Sequence, residues 1–185
     1  YWDGFVLSMK ADIDLRIDDD GRDDLRDFVR VHVIEEGLVL ESDCLTISAI
    51  RTQHPPLIDC FAFSFKTADH HAVFSGDTAP IKALEDFARG ADLLIHEAML
   101  ESALPSLMER IGNGSDKLMA HWLRSHTFAH DAAKTATKAG VKRLALSHLI
   151  PSDDPTYGPQ DWQDACAGHW DGELIVVYDG VKIEL

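Results

Sequence analysis

The sequence predicts an α/β protein: a mixed sheet with helices packed on it. Three observations carry this. Across residues 29–74 apolar and polar residues alternate at period two, which marks strands with one buried face. Beyond Phe74 helical stripes alternate with short apolar runs, the texture of strands joined by helices. The length of 185 residues with 45% hydrophobic content suits one core better than two, so residues 1–185 are expected to form a single domain.

The elements follow in order. Residues 1–36 hold eleven acidic and five basic residues, and Asp18-Asp19-Asp20-Gly21 with Asp23-Asp24 invites comparison with a calcium loop. With Gly21 at the sixth position of such a loop, Arg16 falls where the first ligand is required, so a solvated turn is expected. Val31/Val33, Leu38/Leu40, Leu45/Ile47/Ala49 and Phe61/Phe63/Phe65 read as antiparallel strands, punctuated by Gly37 and Pro55-Pro56. Pro80 sits where a first helical turn tolerates proline, Leu84/Phe87/Ala88 form an apolar stripe, and Gly90 closes the helix. Ala91–Ile95 reads as a strand, and a helix near Glu101–Ile111 is broken by Gly112-Asn113-Gly114. Lys117–Leu123 and Ala129–Ala139 read as helices, the second closed by Gly140. Val141–Leu146 is a strand, Pro159–Trp170 a helix, and Glu173–Tyr178 with Val181–Leu185 a hairpin around Asp179-Gly180.

Composition bounds the partners. Seventeen Lys and Arg against 32 Asp and Glu leave a formal charge of −15, and no basic run is visible. On that ground neither nucleic acid nor a membrane is expected as a partner. No apolar stretch approaches the roughly 20 residues of a membrane helix, and Tyr1-Trp2-Asp3-Gly4-Phe5 has no signal-peptide character. Cys44, Cys60 and Cys166 are odd in number and widely spaced, which suits a reducing compartment, so a cytoplasmic location is expected.

Four polar residues each follow the end of an expected buried strand: His54, Asp77, His96 and His148. In open α/β sheets ligands and catalytic groups gather at the strands' carboxyl ends. Imidazole with carboxylate is the ligand set of zinc, manganese or iron, whereas calcium prefers oxygen alone. In Phe74-Ser75-Gly76-Asp77-Thr78 the glycine turns the chain tightly and the aspartate projects from the strand end. Among the other histidines, His32, His70 and His71 read as surface residues, while His121, His130 and His169 fall on expected helices. His121 is close enough to His126 in sequence to help hold it.

Taken with Leu94-Ile95-His96-Glu97-Ala98, Ser125-His126-Thr127 and the run from Ala139-Gly140-Val141 to Leu146-Ser147-His148, this order resembles the metallo-β-lactamase superfamily. The similarity is to its ribonuclease Z-like and arylsulfatase-like branch, from about Ile13 to the C-terminus. It implies an αββα sandwich and a centre of two divalent metals, zinc first and manganese or iron as alternatives. It also implies that His54, in Gln53-His54-Pro55-Pro56, and His148 are metal ligands, and that Asp77 is the bridging carboxylate. His126 resembles the histidine that contacts the scissile group and acts as an acid on the leaving oxygen. His96 and Glu97 resemble residues that orient the site from behind.

One departure is large. The superfamily's His-x-His-x-Asp-His stretch is missing from this sequence. The chain therefore resembles the C-terminal portion of a longer domain, with one sheet face apolar and open, and it is expected to form a homo-oligomer. The resemblance implies hydrolysis by metal-bound hydroxide. Only 22 residues lie between His54 and Asp77, too few for the tRNA-gripping arm of bacterial ribonuclease Z. With the charge, this points to a small-molecule substrate: an ester, sulfate ester or phosphodiester. The competing expectation is a catalytically inert, metal-poor acidic module that binds a partner or oligomerises.

Overall fold

In a computed structural model, which describes residues 1–112 and 116–185, the chain divides into two compact units, Tyr1–Ile34 and Glu35–Leu185. The first holds two short helices, α1 (Trp2–Ser8) and α2 (Lys10–Asp18), and a 3₁₀ turn at Leu25–Asp27 whose N-cap Asp24 accepts from the Arg26 amide at 2.9 Å. Asp18, Asp19, Asp20 and Asp23 are exposed, as a solvated turn requires.

The second unit is a seven-stranded sheet in chain order: β1 (Gly37–Glu41), β2 (Thr46–Arg51), β3 (Phe61–Lys66), β4 (His71–Phe74), β5 (Leu93–Met99), β6 (Arg143–Ile150) and β7 (Glu173–Val176). Strands β1 to β4 pair antiparallel, and β4 to β7 pair parallel through helical crossovers. The helices are α3 (Lys82–Phe87), α4 (Leu104–Ile111), α5 (Asp116–Ser125), α6 (Ala129–Ala139) and α7 (Pro159–Cys166).

Alternation along the strands decides the two faces. Ala62, Val73, Leu94, Leu144 and Leu146 point to the helix layer and form the main core. There α6 packs between α3 and α7 and lies on β5 and β6. Its buried face is Ala129, Ala132, Ala133, Ala136 and Ala139, so the helix axis approaches the sheet closely, and Gly140 ends it with φ +63°. The opposite face carries Phe61, Phe63, Phe65 and Phe74, with successive ring centres 6.4, 6.4 and 5.5 Å apart. Phe74 remains 44% exposed, so this face is apolar but only partly covered among the described residues.

Several expected boundaries move. Residues 29–34 form no strand, although Val31 and Val33 alternate correctly; both are exposed and pair with no strand among the described residues. β5 runs on through His96 and Glu97 to Met99, and β6 through His148 to Ile150, so these residues lie within strands and do not follow them. The helix expected over Pro159–Trp170 stops at Cys166, leaving His169 in a turn. The expected terminal hairpin is absent: after a turn closed by the Val181 amide on the Tyr178 carbonyl, Val181, Ile183 and Leu185 line a cleft of about 480 Å³ with Phe74, Leu93 and Ile95. His71, expected at the surface, opens β4 half-buried, with Nε2 2.9 Å from Ser64 Oγ. Asn113 and Gly114, of the expected break after α4, lie outside the described residues. No described helix is long and apolar enough to cross a membrane.

Candidate metal and catalytic site

Strands β2, β4, β5 and β6 all run in one direction, because β2 and β4 are each antiparallel to β3 and the later pairs are parallel. Their carboxyl ends therefore share one edge of the sheet. His54 follows β2, Asp77 follows β4, Glu97 sits near the end of β5 and His148 near the end of β6. His126, in the link between α5 and α6, joins them because the Met99 amide donates to the Thr127 carbonyl at 2.8 Å.

Each position has a local cause. Gly76 has φ +58°, and a Cβ there would stand 2.5 Å from the Phe61 carbonyl oxygen, so only glycine makes the turn that presents Asp77. His148 is the extra residue of a β-bulge, skipped between the Glu97–Ser147 and Ala98–Leu149 pairings, with φ +45°. A bulge re-aims its side chain, and here the imidazole brings Nε2 to 3.7 Å from Asp77 Oδ2.

His126 is central. His54 meets its ring edge-on with centres 4.9 Å apart, and His148 stacks on it at 5.7 Å and 9°. His126 Nδ1 lies 3.1 Å from both carboxylate oxygens of the buried Glu97. Burial pushes the His126 pKa down, but the hydrogen bond and charge of Glu97, with Asp77 beyond, outweigh it and hold the imidazole above its ordinary value.

Sequence reasoning missed the polar frame around this pair. Thr78 donates its amide to Glu97 Oε1 at 2.7 Å, and Thr127 Oγ1 donates to the Thr78 carbonyl at 2.6 Å. The Gln53 amide donates to Thr78 Oγ1 at 3.1 Å, Thr52 Oγ1 to the Asp77 carbonyl at 3.0 Å, and the Glu97 amide to Ser75 Oγ at 2.9 Å. The Ser and Thr residues flanking Asp77 and His126 were the available signal. Sequence also underweighted His121, whose ring centre lies 5.5 Å from that of His54 and 6.0 Å from that of His126.

His96 and Glu97 part company. Glu97 faces the site, whereas His96 shares its side of β5 with Leu94 and points into the helix layer. Fully buried, His96 donates Nδ1–H to the Glu97 carbonyl at 2.7 Å and leaves Nε2 unpartnered among the described residues. Burial pushes its pKa down to about 4.

Two groups have donor atoms within 4.8 Å of one another: His54, His121 and His126, and Glu97, His126 and His148. Neutral imidazole and carboxylate suit a transition-metal dication such as zinc. Beside His148 opens a cleft of about 1010 Å³ lined by Leu107, Trp122, Pro151 and Tyr178.

Residues 10–149 match the family described as the beta-lactamase superfamily domain. The chain is 27% identical over 158 residues to ribonuclease Z of Mycobacterium tuberculosis, covering 85% of this chain and 55% of that protein. It is 31% identical over 157 residues to ribonuclease Z of a Mycobacterium species (strain KMS), covering 85% and 52%. It thus spans about half the length of these relatives. In structure it is similar to the metallo-beta-lactamase fold protein YhfI of Bacillus subtilis, with TM-score 0.57 and 23% identity over 77% of this chain and 50% of that one. The expectation of a small-molecule substrate and no nucleic acid does not stand, because these relatives are ribonucleases. Net charge is a weak guide for a physical reason: it sums a whole surface and does not report what one local site engages.

Proposed function

The chain belongs to the beta-lactamase superfamily domain family, and on that premise we propose that the complete protein is a metal-dependent phosphodiesterase acting on RNA. The observation that carries this is the Glu97-held His126 between His54 and His148, on the edge where Asp77 projects. The ribonuclease Z relatives supply the substrate class.

In this reading His54, Asp77 and His148 would hold divalent metal, with zinc the first choice for these donors. Such an ion, when bound, activates water and offsets negative charge building on the phosphoryl oxygens. His126 gives its proton to the departing ribose oxygen, and Glu97 keeps that proton on the ring by accepting from Nδ1–H and stabilising the imidazolium. Trp122 and Tyr178, in the cleft beside His148, offer flat faces for a nucleobase. His96 takes no part in the reaction and serves the core. The sheet is read as the C-terminal part of a longer sandwich, whose other half would cover the Phe61, Phe63, Phe65 and Phe74 face.

The test is hydrolysis of an RNA oligonucleotide by the complete protein with added zinc or manganese. Cleavage that Asp77→Asn abolishes is the expected result. Turnover of carboxylic esters with no cleavage of RNA would overturn the reading.

A further inference from the structure

We propose that His54, His121 and His126 form a three-imidazole metal site, a binding mode alternative to the one in which His54 acts with Asp77 and His148. One ring nitrogen of each lies within 4.8 Å of the others. The three ring centres are spaced 4.9, 5.5 and 6.0 Å and the planes meet at 78°, 81° and 88°. Imidazoles bound to one tetrahedral ion at about 2.0–2.1 Å place their ring centres about 5 Å apart, edge to edge and not stacked.

The tautomers agree with the spacing. His54 Nδ1 is 3.0 Å from the Ser125 carbonyl oxygen, which can only accept, so Nδ1 carries the proton. Ser125 Oγ donates to the Pro55 carbonyl at 2.9 Å, its hydroxyl hydrogen is thereby used, and it accepts from His121 Nδ1–H at 3.3 Å. His126 Nδ1–H donates to the Glu97 carboxylate. In its neutral form each of the three rings keeps the proton on Nδ1 and has its lone pair on Nε2, the arrangement in which an outer partner fixes a metal-binding histidine. Ser125, buried completely, serves two of the three rings at once.

This mode bears on the phosphodiesterase function proposed for the site, on which it rests. An Nε2 that holds a metal has no proton to give, so an ion on His126 silences it as an acid. His54, with Nδ1 committed to Ser125, has one lone pair and serves one ion at a time. The two modes exclude each other, and metal in excess of the catalytic requirement is inhibitory.

The experiment is a titration of the chain with cobalt(II), read by visible absorbance and by exchangeable, paramagnetically shifted imidazole N–H resonances. The expected result is three such resonances, with affinity reduced at least 10- to 100-fold in His121→Gln, the loss that removing even a supporting partner causes, and not reduced in His148→Ala. His121→Ala serves as the second variant, with circular dichroism checking its fold. Parent-like affinity in both His121 variants, with binding lost in His148→Ala, overturns this site while leaving the Asp77–His148 centre standing. RNA cleavage by the complete protein that His121→Gln leaves sensitive to excess zinc also overturns it. Loss of RNA cleavage alone bears on the phosphodiesterase reading and not on this one.

Discussion

Glu97 grips His126 through both carboxylate oxygens, each 3.1 Å from Nδ1. The pair is nearly inaccessible to water, so the carboxylate's charge acts at short range with little screening. Replacing Glu97 by Gln keeps the shape and removes the charge. The His126 pKa then falls, and because the acid works in its protonated form, the alkaline limb of the kcat profile moves to lower pH. A pH–rate profile of Glu97→Gln in the complete protein checks this; an unmoved limb would show that His126 is not the acid.

His126→Ala is expected to lower kcat on RNA by about 10²- to 10⁴-fold. The loss should be much smaller on a p-nitrophenyl phosphodiester, whose leaving group departs without a proton. Comparing the two substrates separates proton donation from a purely structural role.

Stability should depend on pH through His96. Its folded-state pKa is pushed down to about 4 from an ordinary 6.5, so the folded chain resists protonation more than the unfolded one. The stability this represents is fully present above pH 6.5 and is lost as pH falls toward 4, by up to about 3 kcal/mol. His96→Leu removes the titrating ring and its unpartnered Nε2, and its denaturation midpoint should be flatter across that range. An identical pH dependence in variant and parent would sink the assignment.

Gly76→Ala should cost about 1–3 kcal/mol from the left-handed backbone, and more from the 2.5 Å approach to the Phe61 carbonyl. Because the turn presents Asp77, metal affinity should fall with it. Chemical denaturation and a zinc titration measure the two effects.

Much of this was legible because local rules and tertiary context agreed. The period-two run Phe61/Phe63/Phe65 became β3, and Ala129–Ala139 became α6 with both ends where sequence put them. Where they parted, the missing ingredient was a partner. Val31/Val33 and Val181/Ile183/Leu185 alternate well but have no strand beside them, and alternation without a ladder is not a strand. β5 and β6 outlast their apolar runs because His96, Glu97 and His148 find hydrogen bonds, bulges or buried room that composition cannot report. His54, Asp77, His96 and His148 could be nominated from sequence because each follows an expected strand, and of these His96 turns into the helix layer; Glu97 and His126 were nominated by the family resemblance. The role of Ser125 could not, because it joins His54, Pro55 and His121 across some seventy residues of chain.

The ties of Thr78 to Gln53, Glu97 and Thr127 link the chain after β2, the chain after β4, β5 and the start of α6 through protein atoms alone. Ion capture at this edge would then be the docking of a solute into a prepared receptor, and not a folding reaction. Little apolar surface changes its exposure in such an event, so calorimetry should record a heat-capacity change near zero, far from the large negative value that marks segments ordering as they bind.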